Sequence, residues 1–190
     1  MFHDLLAKEF SPYGTLSEQQ LDLATAHYQL LQQWNARMNL TRIESLEEVV
    51  RLHYCESFFL GAWLPKGPAT VVDIGSGPGF PGIPVAILRP ELRVTLLESN
   101  IRKCAFLRES SRALPNVRVI NVRADESKKR FDWAISRAVA IPEVLRNGLA
   151  PSFALLLSKS KAPAGWEVID LPWGSNRVLS VSRGTVSRET

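Results

Sequence analysis

The sequence predicts an α/β protein, in which a small N-terminal helical region precedes a mostly parallel β-sheet with an antiparallel edge strand. Apolar residues recur at helical spacing up to residue 64, whereas short β-branched runs alternate with helical segments from Thr70 onward. Strands that alternate with helices are typical of parallel sheets covered on both faces. We therefore divide the 190 residues into a helical region, 1–64, packed on a core domain, 65–190.

Two capping signals predict where the N-terminal helices begin. Ser17 is followed three residues later by Gln20, and Ser45 by Glu48, so each pair can satisfy free backbone donors of a first turn. The two apolar stripes that follow are Leu21, Ala24, Tyr28, Leu31 and Trp34, and then Leu46, Val49, Val50, His53, Ser57 and Leu60. We interpret both stripes as packing surfaces of α-helices, which makes His53 a structural histidine.

Seven short runs predict the strands of the core domain. They are Thr70–Ile74, Arg93–Glu98, Val117–Asn121, Phe131–Ser136, Phe153–Leu157, Trp166–Leu171 and Arg177–Val181. Helices are expected at Ile83–Leu88 and Ile101–Leu114. The last two runs leave no room for a helix between them, so we expect them to pair antiparallel at one edge of the sheet.

Composition and charge exclude several classes of protein. No apolar run approaches the roughly 18–20 residues of a membrane span, and the N-terminus lacks the basic and apolar parts of a signal peptide. Cys55 and Cys104 are too few for a disulfide framework or a four-thiolate zinc site. We therefore expect a cytoplasmic monomer with no metal and no membrane partner.

Charge is distributed unevenly along the chain. Residues 1–64 carry four basic and eight acidic side chains, whereas the remainder carries nineteen basic and eleven acidic ones. Much of the basic excess lies between Arg102 and Arg130. A basic half suits a polyanionic partner because each neutralised phosphate releases a counterion, although a solvated basic face would have the same composition.

The most informative stretch joins the first strand of the core domain to its first helix, where doubly wound sheets bind ligands. It reads Asp73-Ile74-Gly75-Ser76-Gly77-Pro78-Gly79-Phe80-Pro81-Gly82-Ile83-Pro84. A dinucleotide fingerprint needs glycine where Phe80 stands, and the prolines have no N–H to offer a phosphate. The stretch therefore suits a nucleoside without phosphates, and a purely structural tight turn is the alternative.

Acidic residues follow the next two strands. Glu98 closes the second strand, where a carboxylate can accept hydrogen bonds from both ribose hydroxyls of an adenosine. Asp125 follows the third strand, where it could bind the adenine amino group. This pattern is typical of S-adenosylmethionine sites. A nicotinamide-dependent oxidoreductase is the competing class of enzyme, and Phe80 and the prolines argue against it.

Further motifs accompany the glycine-rich stretch. They are Trp34-Asn35, Asn39-Leu40-Thr41, Arg51-Leu52-His53 with Ser57, Thr95-Leu96-Leu97-Glu98, Lys103 with Phe106-Leu107-Arg108, Arg123, Phe131-Asp132 and Ser136-Arg137-Ala138. Together these motifs cover most of residues 20–140. The sequence resembles the bacterial small-subunit (16S) ribosomal RNA guanine-N7 methyltransferases, also called the glucose-inhibited division protein B family.

The resemblance implies a Rossmann-like class I methyltransferase fold and transfer of a methyl group from S-adenosylmethionine to N7 of a guanine in 16S ribosomal RNA or the small ribosomal subunit. The implied cofactor contacts are Asp73, Gly75, Gly77, Phe80, Glu98, Ala124, Asp125 and Arg137. The implied RNA contacts are Arg123, Arg137, Lys159 and Arg177. Arg137 would hold the guanine, and no general base is expected because N7 carries an available lone pair.

Alternatives remain for these residues and for the activity. Arg123 and Arg137 could instead form ion pairs with Asp125 or Glu98, and Lys159 and Arg177 could be solvated rim residues. The sequence also departs from the family pattern: Glu56 replaces an aspartate, Ser160 replaces a glycine, and Lys159–Gly165 is too short for the expected helix. An RNA-binding or ribosome-assembly protein with this fold and no activity is therefore the second hypothesis.

Overall fold

The computed structural model describes residues 1–42, 45–137, 139–146 and 148–184. Ala138, which belongs to one of the motifs, and the end of the predicted core domain after residue 184 lie outside these described residues. The helices before the sheet are α1 (Phe2–Phe10), α2 (Glu18–Met38), α3 (Leu46–Glu48) and α4 (Glu56–Trp63), and a π-helical segment, Val49–Cys55, joins α3 to α4.

The predicted helix starts at Ser17 and Ser45 are confirmed. Ser17 Oγ accepts the Gln20 amide at 3.2 Å, and Ser45 Oγ accepts the Glu48 amide at 3.3 Å. The prediction of one regular α-helix after Ser45 is wrong, however, because the π-helical segment interrupts it. The wider turn of a π-helix brings several consecutive side chains to the interior, where His53, Tyr54 and Cys55 are all buried.

One seven-stranded sheet forms the core, in the order β3-β2-β1-β4-β5-β7-β6. Its strands are β1 (Thr70–Ile74), β2 (Arg93–Glu98), β3 (Val117–Asn121), β4 (Trp133–Arg137), β5 (Ser152–Ser158), β6 (Glu167–Asp170) and β7 (Arg177–Ser182). Strands β1 to β5 pair in parallel, and β7 runs antiparallel between β5 and β6. The predicted parallel sheet with an antiparallel pair at one edge is therefore confirmed.

Helices cover the two faces of the sheet unequally. The core domain contains α5 (Gly82–Leu88), α6 (Ile101–Ser110) and α7 (Ile141–Arg146). Helices α1, α2, α4, α5 and α6 contribute to one hydrophobic core, and α7 contributes to the smaller core on the opposite face. Helix α6 ends before the predicted residue Leu114, and α1 and α7 were not predicted. Within the described ranges, no helix combines the length and apolar character needed to cross a membrane.

Candidate cofactor and substrate site

Backbone shape explains the glycines between β1 and α5, which we call the glycine loop (residues 75–81). The backbone angle φ is +70° at Gly75, +53° at Gly77 and +91° at Gly79, a region that other residues rarely adopt. Space is also tight, because a Cβ atom on Gly75 would lie 2.6 Å from a methyl carbon of Val139. Residues with side chains would therefore change the path of this loop.

The amide hydrogens of the glycine loop are used inside the protein. Those of Gly75 and Ser76 both donate to the carbonyl oxygen of Leu97, at 2.9 and 3.1 Å. The Gly77 amide donates to a carboxylate oxygen of Glu98 at 3.0 Å. A phosphate-binding loop needs such amides to point at its ligand. The loop is therefore poorly suited to a diphosphate, for a reason additional to its prolines.

The buried side chain of Asp73 binds the backbone of Gly82, the residue that follows the glycine loop. Its Oδ2 atom accepts the Gly82 amide at 3.0 Å, and its side chain is fully buried. Its Oδ1 atom has no hydrogen-bond partner among the residues that the structure describes. Burial raises the pKa of this carboxyl group to about 7. Asp73 thus shapes the loop, and its predicted contact with the cofactor stays a prediction.

A cavity opens beside the glycine loop at the carboxyl ends of β1 and β2, and we call it the Glu98 cavity. Gly75, Glu98, Ala124 and Val139 are among the residues that line it. Each carboxylate oxygen of Glu98 accepts one backbone amide, at 3.0 and 2.8 Å. A carboxylate has about four lone-pair positions, so two remain for other donors. The structure thus brings together three of the predicted cofactor contacts, Gly75, Glu98 and Ala124.

Arg123 and Asp125 lie at the edge of the Glu98 cavity. Arg123 contributes to its lining, and Arg123 Nε donates to Asp125 Oδ1 at 3.3 Å. Both side chains are more than half exposed, so this ion pair contributes little stability. For Arg123, the sequence left open an ion pair with either Asp125 or Glu98, and the structure has the pair with Asp125. The predicted contact between Asp125 and adenine is not tested by this geometry.

Phe80 lies in a buried aromatic cluster beneath the loop. Its ring stacks on that of His53, with centroids 4.6 Å apart, and meets the rings of His27 and Tyr54 edge-on. Only 3% of Phe80 is exposed. This residue therefore packs the loop against α2 and the π-helical segment. Its predicted role in cofactor binding stays a prediction.

His53 is a neutral residue of this cluster. Its Nε2 atom shares a hydrogen bond with the Thr41 hydroxyl at 2.9 Å, whereas Nδ1 has no partner among the described residues. Burial and the positive charge of Arg137 hold the pKa of His53 far below its usual value. A charged, proton-transferring histidine does not fit this position, in agreement with the structural role interpreted from the sequence.

His27 connects α2 to the glycine loop and makes stability depend on pH. Its ring nitrogens pair with the Tyr54 hydroxyl at 2.7 Å and the Pro78 carbonyl at 3.1 Å. Burial lowers the pKa of His27 from 6.5 to about 4. Between these values the unfolded chain binds a proton that the folded chain does not. The contribution of His27 to stability is therefore expected to fall as the pH decreases from 6.5 to 4.

The difference between wild type and His27→Gln isolates this contribution, because Asp73 titrates with the opposite sign over a similar range. We expect the free energy of unfolding of the wild type, relative to the variant, to be smaller at pH 5 than at pH 7. Urea unfolding at both pH values measures it. An equal difference at the two pH values would show that His27 does not lose a proton on folding.

Arg137 ends β4 and lines a larger cavity of about 630 Å³, which we call the Arg137 cavity. Its Nη1 atom donates to the carbonyl oxygen of Leu52 at 2.6 Å, and its guanidinium carbon lies 5.9 Å from the centre of the Phe80 ring. Burial lowers the pKa of Arg137 to about 10, so it stays charged at neutral pH. Val139 lines both cavities, which are therefore neighbours.

Arg177 reaches the Arg137 cavity from β7. It donates two hydrogen bonds to the carboxylate of Glu56, at 2.8 and 2.5 Å. The Glu56 side chain is completely buried, and that of Arg177 is 28% exposed. The alternative of a solvated rim residue is therefore wrong for Arg177, because an ion pair holds it at the cavity wall. Glu56 is also the residue that departs from the family aspartate.

A short 3₁₀ turn, Lys159–Lys161, follows β5 where the resemblance implied a helix. Lys159 Nζ lies 2.7 Å from a carboxylate oxygen of Asp170, and both side chains are more than half exposed. Lys161, which the sequence analysis missed, contributes to the lining of the Arg137 cavity. In the sequence, Lys161 is marked only by being a second lysine two positions after Lys159.

Comparison with known proteins agrees with this geometry. The family model described as rRNA small subunit methyltransferase G matches residues 20–156. The ribosomal RNA small subunit methyltransferase G of Xanthomonas campestris pv. campestris (strain B100) is 38% identical over 158 residues, which are 75% of this chain and 74% of that protein. The protein named ribosomal RNA small subunit methyltransferase G 1 of Syntrophobacter fumaroxidans is 36% identical over 151 residues, 70% of this chain and 68% of that protein.

Solved structures share the fold. A SAM-dependent O-methyltransferase from Thermotoga maritima superimposes with a TM-score of 0.57 over 82% of this chain and 71% of that chain, at 12% sequence identity. At that identity the likeness shows only the architecture of the sheet and its helices. The family is shown instead by the matched family model and by the two relatives. This chain belongs to the rRNA small subunit methyltransferase G family.

Proposed function

We propose that this chain transfers a methyl group from S-adenosylmethionine to N7 of a guanine in 16S ribosomal RNA. The observation that carries the proposal is the loop beside the Glu98 cavity: its amides are engaged within the protein, while the Glu98 carboxylate keeps free lone pairs. Such a site suits a ribose without phosphates. The larger cavity beside it, which Arg137 lines, has room for a base.

The residues present fit the adenosine part of this cofactor. Gly75 leaves space that a Cβ atom would fill, Glu98 would accept from the ribose hydroxyls, and Ala124 would border the base. Asp73, Gly77, Phe80, Asp125 and Arg137 complete the proposed set of contacts. When bound, the cofactor supplies a methyl group on a positively charged sulfur.

The role of the protein in the reaction is mainly to position its substrates. N7 of guanine carries an available lone pair at neutral pH, so no side chain has to remove a proton. Holding two reactants in register can account for about 7–11 kcal/mol of a barrier. Arg137 is the residue proposed to hold the guanine; its guanidinium lines the cavity and donates to the Leu52 carbonyl, which supports this role.

The proposed partner is 16S ribosomal RNA, free or in the small ribosomal subunit. Arg123, Arg137, Lys159 and Arg177 are the proposed contacts, of which Arg137 and Arg177 line the same cavity. Ion pairs hold Arg123, Lys159 and Arg177 in the structure, and the exposed ones can exchange a carboxylate for a phosphate at low cost. We propose that the chain works as a cytoplasmic monomer, without a metal or a membrane.

Methyl transfer can be mapped directly. The protein is incubated with S-adenosylmethionine labelled in its methyl group and with 16S ribosomal RNA, and N7-methylguanosine is located by borohydride–aniline cleavage. We expect label at one guanine. RNA that stays bound but unlabelled, although the cofactor binds, would instead support a ribosome-assembly protein without activity, which the short turn at Lys159–Lys161 favours.

Gly77→Val is expected to weaken binding of S-adenosylhomocysteine at least tenfold. A Cβ atom on Gly77 would meet no atom closer than 3.8 Å, so the effect comes from its φ of +53°, which costs about 1–2 kcal/mol for other residues. The hydrogen bond from its amide to Glu98 would be lost as the loop moves. Titration calorimetry measures the affinity.

Gly67→Val is the matched control for this prediction. Gly67 also has a positive φ, +100°, and open space around its Cβ position, but it precedes β1 and lies outside the glycine loop. We expect this control to bind S-adenosylhomocysteine like the wild type. If Gly77→Val also retained full affinity, the cofactor would lie elsewhere.

A further inference from the structure

A second basic site lies at the opposite end of the sheet from the glycine loop. A crevice of about 450 Å³ opens at the amino ends of β1, β2 and β3. Its lining includes four basic side chains, those of Arg93, Arg118, Lys129 and Arg130. All four are exposed. We call this site the amino-end crevice.

Among the described residues, the lining of the crevice contains four basic side chains and no acidic one. In the described part of the chain, none of the four basic side chains forms an ion pair. The carboxylate of Asp132, which accepts hydrogen bonds at 2.7 Å from both the amide and the hydroxyl of Thr70, interacts electrostatically with Arg93. The crevice therefore keeps a net positive charge that is open to solvent.

The topology of the chain explains why this crevice exists. Among the described residues, the connection from β3 to β4 contains a 3₁₀ turn, Ala124–Glu126, and no α-helix. The face of β2 and β3 that carries Arg93, Thr95 and Arg118 is therefore left partly uncovered, with Thr95 and Arg118 paired in register. The same connection brings Lys129 and Arg130 to the edge of this face.

We propose that the amino-end crevice binds the phosphate backbone of the substrate RNA at a point remote from the reacting guanine. Exposed arginines and lysines without counterions are the groups that neutralise phosphates and release their cations. Such contacts fix the position of an RNA without reading its sequence. This inference rests on the proposed function, because that function supplies the RNA as the partner.

The distance between the two sites determines which RNA can use both. Arg93 begins β2 and Glu98 ends it, so the sites are separated by about 16 Å of strand at about 3.3 Å per residue. One nucleotide cannot contact both. An RNA of several nucleotides that passes around the edge strand β3 can do so.

Salt dependence of RNA binding tests the proposal. The double variant Arg93→Gln, Arg118→Gln is compared with Lys8→Gln, Arg37→Gln, a control pair of exposed cations on α1 and α2 with the same change of charge. Affinity for 16S ribosomal RNA is measured by fluorescence anisotropy over a range of salt concentrations. We expect the slope of log affinity against log salt to become shallower by about 1.4–1.8 in the crevice variant, since each lost phosphate contact removes about 0.7–0.9.

The control pair should keep the wild-type slope, and all three proteins should bind S-adenosylhomocysteine equally, which confirms their folding. Equal slopes for the crevice variant and the wild type would overturn the proposal. An equally large change of slope in the control pair would also overturn the proposal, because it would show an effect of net charge alone. A wild type that binds RNA but transfers no methyl group would contradict the proposed function alone.

Discussion

Replacing Arg137 with alanine is expected to lower kcat/KM for methyl transfer to 16S ribosomal RNA at least tenfold, a loss of about 1.4 kcal/mol in stabilisation of the transition state. Arg137 lines the Arg137 cavity, and its guanidinium donates to the carbonyl of Leu52 and lies over the Phe80 ring. In the variant, the guanine would lose the group proposed to hold its N7 atom close to the methyl group of S-adenosylmethionine. Steady-state transfer of labelled methyl groups measures the effect.

Arg137→Lys is the control for this prediction. Lysine keeps the charge but lacks the planar set of donors that can bond the edge of a base and the Leu52 carbonyl at once. We therefore expect the lysine variant to bind RNA almost as well as the wild type and still to transfer methyl groups slowly. A full rate in the alanine variant would remove Arg137 from the site.

Glu56→Ala is expected to destabilise the protein by about 3–5 kcal/mol, because breaking a buried ion pair leaves one charge without its partner. The Glu56 carboxylate is completely buried and accepts both hydrogen bonds of Arg177. Arg177 would remain partly buried near Arg137, without the Glu56 carboxylate that compensates its charge. Urea unfolding measures the change in the free energy of unfolding.

Glu9→Ala provides a matched comparison on the surface. Glu9 accepts two hydrogen bonds from Arg51, at 3.0 and 2.9 Å, in the same two-point geometry. The Arg51 side chain is 45% exposed, so this pair is worth about 0–1 kcal/mol. Similar losses in Glu56→Ala and Glu9→Ala would contradict the importance of burial for the Glu56–Arg177 pair.

Local sequence patterns were sufficient to predict the elements that depend on neighbouring residues. The strand Thr70–Ile74 and the capping residue Ser17 were located correctly, because β-branched runs and capping boxes act within a few positions. The same holds for the position of Glu98 at the end of β2. Helix α1 and the π-helical segment were not predicted, since their formation depends on burial against the rest of the chain.

Parts of the site could not be predicted because they join residues far apart in sequence. Glu56 and Arg177 are separated by 121 positions, and Arg137 and the Leu52 carbonyl by 85. The sequence also indicated a loop unsuited to phosphate through its prolines alone. The use of the Gly75 and Ser76 amides by the Leu97 carbonyl required the register of β1 on β2.

The central claim is that the glycine loop and Glu98 form a site for an adenosine without phosphates. Titration calorimetry of the wild-type chain with S-adenosylhomocysteine and, separately, with NAD tests it most directly. We expect one S-adenosylhomocysteine to bind per chain, with no measurable heat from NAD. Tight binding of NAD, together with no binding of S-adenosylhomocysteine, would contradict the claim.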